Sequence, residues 1–429
     1  MTNAIHADNL SKAASSLIHP LSKGIGRLDR AVVSDEITRL GWNLLREDLS
    51  LPTAVLYDEK LAHNLAWMQK FADAYGAKLA PHGKTSMAPK LWHRQLQAGA
   101  WGMTLATAHQ VRVAYEHGIR RVLLANQLVG KQNMATISHL LEDKDFEFFC
   151  LVDSAELVQT LGQFFSSRGQ RLNVLLEVGV QGGRTGIRNR EQLEALLAAL
   201  NEWKDNVTLC GVELFEGLLS EEQAIREFLQ NAVDVTNEVA RQKRFQRSPA
   251  ILTGAGSAWF DVVAEIFRKS KLDFEIEVLL RSGCYVTHDA GVYRDAQARM
   301  MKENPVAQEM APGLIPALQL WAYVQSVPEK NAAILGFGKR DAAFDAGLPI
   351  PALHFRPGQT KPIPAPQEWK LTRLWDQHAH MQVPDNADLR VGDMIGFDIS
   401  HPCLTFDKWR YLPILDTKYQ VIDIVETFF

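Results

Sequence analysis

A chain of 429 residues is too long for one small core, and 46% hydrophobic with 22% charged residues is the balance of a globular enzyme, so two domains are expected. With 46 basic against 50 acidic side chains the net charge is −4, and no basic run is dense enough to track a nucleic acid backbone. Cys150, Cys210, Cys284 and Cys403 are scattered without a Cys-x-x-Cys pair, which favours a reducing compartment over a disulfide framework.

The opening stretch, MTNAIHADNLSKAASSLIHPLSKG, lacks the basic start, long apolar run and small-residue cleavage site of a secretory signal. No apolar run is long enough to span a bilayer, so the expectation is a cytoplasmic protein without a membrane partner. Residues 1–50 read as a leader with one amphipathic helix over 34–46. From residue 51, short β-branched or apolar runs alternate with helix-like stretches. The first run, 53–57, has no clear place. Eight others follow, at 77–80, 102–107, 121–127, 148–153, 172–178, 207–214, 250–253 and 274–280. Between them lie segments of helical period such as 61–75, 155–167, 191–203 and 221–242. Strands alternating with helices pair in parallel through right-handed crossovers, and eight such units predict a closed (β/α)₈ barrel of the TIM type over 51–310. A doubly wound sheet would place a glycine-rich turn after its first strand, and none is there. Beyond residue 310 the rhythm changes to strands at 317–327, 332–338, 370–374, 394–399 and 419–426, separated by turns such as PIPALHFRPGQTKPIPAPQ. This is a second, mostly β domain over 311–429.

In an eight-fold barrel the chemistry belongs at the C-terminal strand ends. Polar and glycine residues recur there: His82, Gly83 and Lys84; Thr104 and Thr107; Asn126 and Gln127; Asp153; Gly182 to Thr185; Glu213 and Glu216; Thr253 to Ser257; Arg281 to Gly283. Singly, each is an ordinary loop residue. Together they gain weight because two glycine loops, TGAGS and RSGC, follow late strands, where this barrel cradles phosphate. Lys84, in LAPHGKTSMAP, follows an apolar run beside an imidazole and a hydroxyl, and a lysine withdrawn from water in a barrel mouth tends toward the neutral amine that imine formation needs. A solvated surface lysine is the plain alternative.

In ISHPCLTFDKWR, His401 and Cys403 stand two residues apart, and on an extended chain both side chains share one face. Imidazole and thiolate together suit a borderline-soft divalent ion, zinc first, with open positions left for substrate or water. A half-buried cysteine beside a strand-end histidine is the plain alternative. His378 and His380, in WDQHAHM, are weaker candidates for a third ligand.

These motifs, in this order, resemble the D-serine dehydratase branch of the fold-type III pyridoxal-phosphate enzymes, a group that includes D-threonine aldolases and alanine racemases. The resemblance covers residues 51–429 and rests on PHGKT at 81–85, GMTLAT at 102–107, LLANQLVG at 123–130, GGRTGI at 182–187, TGAGS at 253–257, RSGCY at 281–285 and HPC at 401–403. It implies that Lys84 holds pyridoxal 5'-phosphate as a Schiff base and later takes the Cα proton, with His82 beside it. Arg184 would lie near the cofactor ring or the substrate carboxylate. Thr253, Gly254, Ser257, Gly283 and Cys284 would line the cofactor's phosphate end, Gly283 and Cys284 through backbone N–H. Glu213 stands where relatives place a tyrosine near the pyridine nitrogen. His401 and Cys403 would hold Zn²⁺, or Mn²⁺ or Mg²⁺ in an aldolase. The activity implied is a lyase that converts D-serine, or a related D-3-hydroxyamino acid, to a 2-oxo acid and ammonia by β-elimination. The competing readings are retro-aldol cleavage of D-threonine or 3-hydroxy-D-aspartate, a metal-free racemase, and a non-catalytic pyridoxal-phosphate-binding protein. Cys403 favours dehydration, because the aldolase branch offers a carboxylate there and hard ions prefer oxygen. Relatives are homodimers. The sequence departs from the pattern at Lys-Thr-Ser-Met after Gly83, where relatives continue Lys-Thr-His-Lys, and at Glu213.

Overall fold

The computed structural model describes residues 17–270, 272 and 274–429. They form two compact units made from interleaved stretches of chain: Gln69–Lys84 with Gln95–Gly283, and the residues up to Met68 with Thr85–Arg94 and Cys284–Phe429. The division expected at residues 50 and 310 is therefore not where the chain divides, and residues 1–16 of the expected leader lie outside the described residues.

The first unit is the barrel. Its strands are β1 (Lys78–Leu79), β2 (Met103–Leu105), β3 (Arg121–Gln127), β4 (Glu147–Val152), β5 (Leu172–Val178), β6 (Val207–Leu214), β7 (Ala250–Gly254) and β8 (Ile276–Leu280). Each pairs in parallel with its sequence neighbour from β2 through β8, and β8 pairs with β1. The ring closes between β1 and β2 through Trp101 N–H to Leu79 O (2.7 Å), Thr104 N–H to Pro81 O (2.9 Å) and a parallel bridge between His82 and Thr104. Side chains from successive strands fill the interior, among them Leu123, Phe149, Leu151, Leu175, Cys210, Ile251 and Leu279, all at most 2% exposed. Helices start where the sequence supplies a cap: Thr107, Ser154 and Asn189 accept from the N–H of Gln110, Leu157 and Gln192. In the helix Glu222–Arg241 the buried residues Ile225, Leu229, Ala232, Val233, Thr236 and Val239 recur at helical spacing, which gives one apolar stripe.

The second unit is built on an antiparallel sheet in the order Ile363–Pro364, Ile350–Phe355, Met394–Asp398, Leu318–Glu329, Ala332–Leu335, Ala379–Gln382, Lys370–Leu374. The unplaced run Thr53–Tyr57 belongs here, antiparallel to Leu318–Glu329 and parallel to Tyr411–Leu415, which pairs in turn with Val421–Glu426. Two strands arise inside the proline-rich stretch read as a turn. Their prolines are tolerated because Ile363–Pro364 is the edge strand and the pairing of Ile350–Phe355 shifts register between Pro351 and Leu353.

The amphipathic helix expected over 34–46 is broken into a turn of α-helix (Ser34–Ile37) and two 3₁₀ turns (Thr38–Leu40 and Leu44–Arg46). Gly41 adopts φ 65°, a left-handed conformation that ends the first segment, and Asn43 restarts the chain by accepting from Leu45 N–H. The periodicity reflects burial instead: Ile18, Ile25, Val32, Ile37, Trp42, Leu44 and Leu49 pack with Val55, Trp321, Tyr411 and Ile424 in one cluster. Among the described residues no helix is long and apolar enough to cross a membrane.

Candidate active site and metal centre

The C-terminal end of the barrel gathers most of the residues singled out from the sequence. Lys84 sits in the 3₁₀ turn Gly83–Thr85 that follows β1. The residue is exposed at the barrel mouth. His82 lies beside it: burial first, then the cations of Lys84, Arg281 and Arg184, hold its imidazole well below the usual histidine range, against a backbone hydrogen bond with Thr104. A neutral ring results, and its Nδ1 is buried without a hydrogen-bond partner.

Glu213 on β6 and Arg281 after β8 lie in direct carboxyl–guanidinium contact, 2% and 5% exposed, a contact that becomes an ion pair as Glu213 gives up its proton. Arg281 also donates to Leu214 O (2.7 Å). Burial pushes the Glu213 carboxyl up to about 8, with Glu177 and Glu216 adding to the rise and Arg281 opposing it. Glu213 Oε2 and Arg281 Nε are buried with no partner. Unpaired polar atoms so deep are rare unless something completes them. A ring bearing polar atoms, bound at this end, would supply that.

From the sequence, Arg281, Glu216 and Asp153 stand at strand ends without a task, and Glu177 is not singled out. Glu216, fully buried, accepts from Ala255 N–H (3.1 Å) and Gly256 N–H (2.6 Å), bracing the TGAGS loop. A Cβ at Gly256 would meet Phe215 at 3.0 Å and that same carboxylate at 3.3 Å, so a larger residue would have to push these side chains aside by a few tenths of an ångström. Glu177 accepts from Thr185 Oγ1 (2.6 Å) and from Gln127, and Asp153 accepts from Gly186 N–H (2.9 Å). Both carboxylates thereby pin the loop that carries Arg184, whose guanidinium is exposed and lies 4.5 Å from the Phe215 ring centroid.

The two glycine loops are tied together by Arg281 N–H to Gly254 O (3.1 Å) and Ser282 Oγ to Gly256 O (3.0 Å). The TGAGS loop leads into the helix Phe260–Lys269, with half-exposed Ser257 just ahead of it. Amides and a helix start there fit an anion such as phosphate. Thr253 does not fit the set expected around it: buried, it donates its hydroxyl to Leu279 O (2.9 Å), a bond between β7 and β8. Thr104 and Asn126 also bond backbone carbonyls, those of Ala80 and Ala106.

In the second unit, Cys403, Cys284, Thr85 and His401 form a cluster. Cys284 Sγ lies 3.6 Å from Cys403 Sγ, and Thr85 Oγ1 lies 3.7 Å from the first and 3.6 Å from the second. Cys284, expected through its backbone at a phosphate, thus turns its thiol to Cys403. The Cys284 thiol, then His401 and Thr85, hydrogen-bond the Cys403 sulfur and hold it down to about 4 against burial. The bond to Cys403, then Asp345, raise His401 to about 9. His401 Nδ1 is 2.8 Å from Asp345 Oδ2. The chain between the two candidate ligands is not extended as expected. Pro402 has φ −59° and ψ −45°, and Cys403 opens the short helix Cys403–Phe406.

A thiolate beside an imidazole whose other nitrogen is held by a carboxylate has the donor chemistry of a zinc site. Among the described residues no group of three or more His, Cys, Asp or Glu side chains gathers to hold a metal ion. His378 and His380 therefore add no third ligand; His380 stacks on Trp375 at 5.8 Å.

Comparison with known proteins follows the two-part architecture. Residues 58–264 match the family model "Alanine racemase, N-terminal domain", and residues 317–415 match "Putative serine dehydratase domain". The D-threonine aldolase of Arthrobacter sp is 25% identical over 366 residues, 83% of this chain and 86% of that one. The D-threo-3-hydroxyaspartate dehydratase of Delftia sp. (strain HT23) is 27% identical over 245 residues, 56% of this chain and 62% of that one. A cysteine-to-alanine variant of a D-threo-3-hydroxyaspartate dehydratase, solved in a metal-free form, shares the fold at a TM-score of 0.68 and 20% identity, covering 90% of this chain and 99% of that one. The D-threonine aldolase structure from Filomicrobium marinum shares it at a TM-score of 0.73 and 22% identity, covering 90% and 97%. The chain thus joins an alanine racemase-type N-terminal domain to a serine dehydratase-like domain, and along both it is similar to D-threonine aldolase.

Proposed function

We propose that this chain is a pyridoxal-phosphate- and zinc-dependent lyase of D-3-hydroxyamino acids that converts D-serine to pyruvate and ammonia. The observation that carries the dehydratase reading is the thiol–imidazole pair of Cys403 and His401, the latter oriented by Asp345. When bound, the cofactor supplies an electron sink for charge at the substrate Cα, and a zinc ion supplies a Lewis acid for the hydroxyl leaving Cβ. The residues divide the remaining work. The Lys84 amine holds the cofactor and takes the Cα proton. Glu213 and Arg281 present Oε2 and Nε to the ring, and His82 presents a neutral Nδ1. Ser257, Gly254, Gly283 and the backbone of Cys284 receive the phosphate, beside the start of the helix Phe260–Lys269. Arg184, on a loop pinned by Asp153 and Glu177, is placed to steer a carboxylate. His401 and Cys403 hold the zinc. A homodimer is part of the same proposal, and sedimentation of the purified enzyme tests it.

A second reading, cleavage of the Cα–Cβ bond in D-threonine or 3-hydroxy-D-aspartate, is supported by the similarity to D-threonine aldolase along 83% of the chain. The two differ in product. D- and L-serine, D-threonine and 3-hydroxy-D-aspartate are offered to the enzyme, and ammonia with oxo acid is scored against glycine with aldehyde. Ammonia and pyruvate from D-serine, abolished by chelation and restored by zinc, are expected. Glycine as the main product from D-threonine, with D-serine inert, would replace the dehydratase reading by the aldolase one.

A further inference from the structure

The four cysteines fall into two chemical settings, and none is in a disulfide. Cys150 and Cys210 lie in the barrel core, where burial pushes both thiols up, that of Cys210 to about 12. Cys284 and Cys403 differ from them in position and partners. They stand 119 residues apart in sequence, yet their sulfurs are 3.6 Å from one another, with the Thr85 hydroxyl near both and the Tyr293 hydroxyl bonded to Cys284. Cys403 is partly exposed and Cys284 is buried behind it. This is the layout of a thiol that small oxidants reach first, backed by a second thiol able to resolve it.

We infer that Cys284 and Cys403 are a peroxide-sensitive pair that closes to a disulfide. Hydrogen peroxide accepts two electrons from the Cys403 sulfur, giving a sulfenic acid and water. The Cys284 sulfur then attacks Cys403 Sγ: the S–S bond forms, the S–O bond breaks, and the hydroxyl leaves with the Cys284 proton as a second water. The two thiols are oxidised and one peroxide is reduced to two waters. The sulfurs must close from 3.6 Å to about 2.05 Å, a movement within the reach of side-chain rotation. Cys150 and Cys210, enclosed in the barrel core, stay reduced. The bond needs neither cofactor nor metal. Its effect on turnover, loss of one of the two proposed zinc ligands, is the only part that rests on the proposed function.

The purified enzyme, with and without prior zinc loading, is exposed to stoichiometric hydrogen peroxide, then thiol titration and peptide mass spectrometry are run. The metal-depleted enzyme should lose two of its four thiols, yield a linked peptide containing Cys284 and Cys403, and recover both thiols with dithiothreitol. Zinc loading should slow the reaction, and the oxidised enzyme should lose activity at least about tenfold until reduced. In Cys284→Ser the link should vanish and Cys403 should proceed to the sulfinic acid. Loss of thiols without that link, or sulfinic acid at Cys403 of the unaltered enzyme while Cys284 stays reduced, overturns the pair. A linked enzyme with full activity supports the pair and overturns zinc at Cys403 instead.

Discussion

Asp345 Oδ2 lies 2.8 Å from His401 Nδ1, and because a carboxylate can only accept, the ring nitrogen is the donor. With Nδ1 held by Asp345, Nε2 is the nitrogen left for a metal, which must displace the proton that the Cys403 sulfur and Asp345 favour on the metal-free ring. Asp345→Asn keeps the shape and removes the charge. It should weaken zinc binding by about 10- to 100-fold, measured by competition with a chromophoric chelator. Unchanged affinity would mean that His401 does not ligate through Nε2.

Glu213 carries the pH prediction. Its carboxyl is raised from 4.5 to about 8, so between those values the native state holds a proton that the unfolded chain has lost. Its contribution to stability is complete below about 4.5 and is lost as pH rises through about 8. Cofactor-free protein unfolded in urea should therefore lose stability between pH about 5 and about 8, and Glu213→Gln should flatten that slope. A slope unchanged in the variant would assign it to Glu177, Glu216 or Asp289, which burial also raises.

Lys84→Ala should abolish the visible absorbance of the purified enzyme and cut turnover by a factor on the order of 10³. Borohydride reduction of the unaltered enzyme should fix the cofactor mass on the peptide containing Lys84. Label on any other lysine would move the site elsewhere.

Asp153→Asn and Glu177→Gln each replace a charged acceptor that anchors the Arg184 loop. Each should cost about 1 kcal/mol locally. The readout that separates positioning from general weakening is kinetic: KM for the amino acid should rise more than kcat falls, with the melting temperature nearly unchanged. Equal loss in both, with a lower melting temperature, would assign these carboxylates to stability alone.

Leu44→Ala tests whether the leader is structural. Leu44 is 0% exposed in a cluster shared with Trp321 and Tyr411, so its truncation should cost about 2–5 kcal/mol by denaturant unfolding. A change near zero would mean the segment docks without contributing.

The barrel was legible because each of its strands is a short apolar run between helical periods, and those runs match the observed strands closely, as at Leu172–Val178 and Val207–Leu214. What failed was local geometry that tertiary packing sets. The period over 34–46 was read as a helix when Gly41 breaks it and both sides pack into a core. Proline hid the strand Ile350–Phe355, because a register shift beside Pro351 excuses it. At the site, His82, Lys84, Glu213 and Arg184 could be named from their place after apolar runs. The sequence offered nothing to link Asp345 to His401, or Cys284 to Cys403, since a pair so far apart in the chain carries no spacing signal. The same holds for Arg281: Glu177 and Glu213 stand level on neighbouring strands, and only the structure shows that Glu213 is its partner.

The interleaved chain sets an order for synthesis on the ribosome. All eight barrel strands have been made once Leu280 is polymerised, so the ring can close early. The other unit must hold its opening stretch, with Ile18, Ile37 and Trp42 still uncovered, until Val421–Glu426 emerges to complete that core. For the time it takes to translate the intervening chain, a nascent segment rich in apolar side chains is a substrate for chaperones.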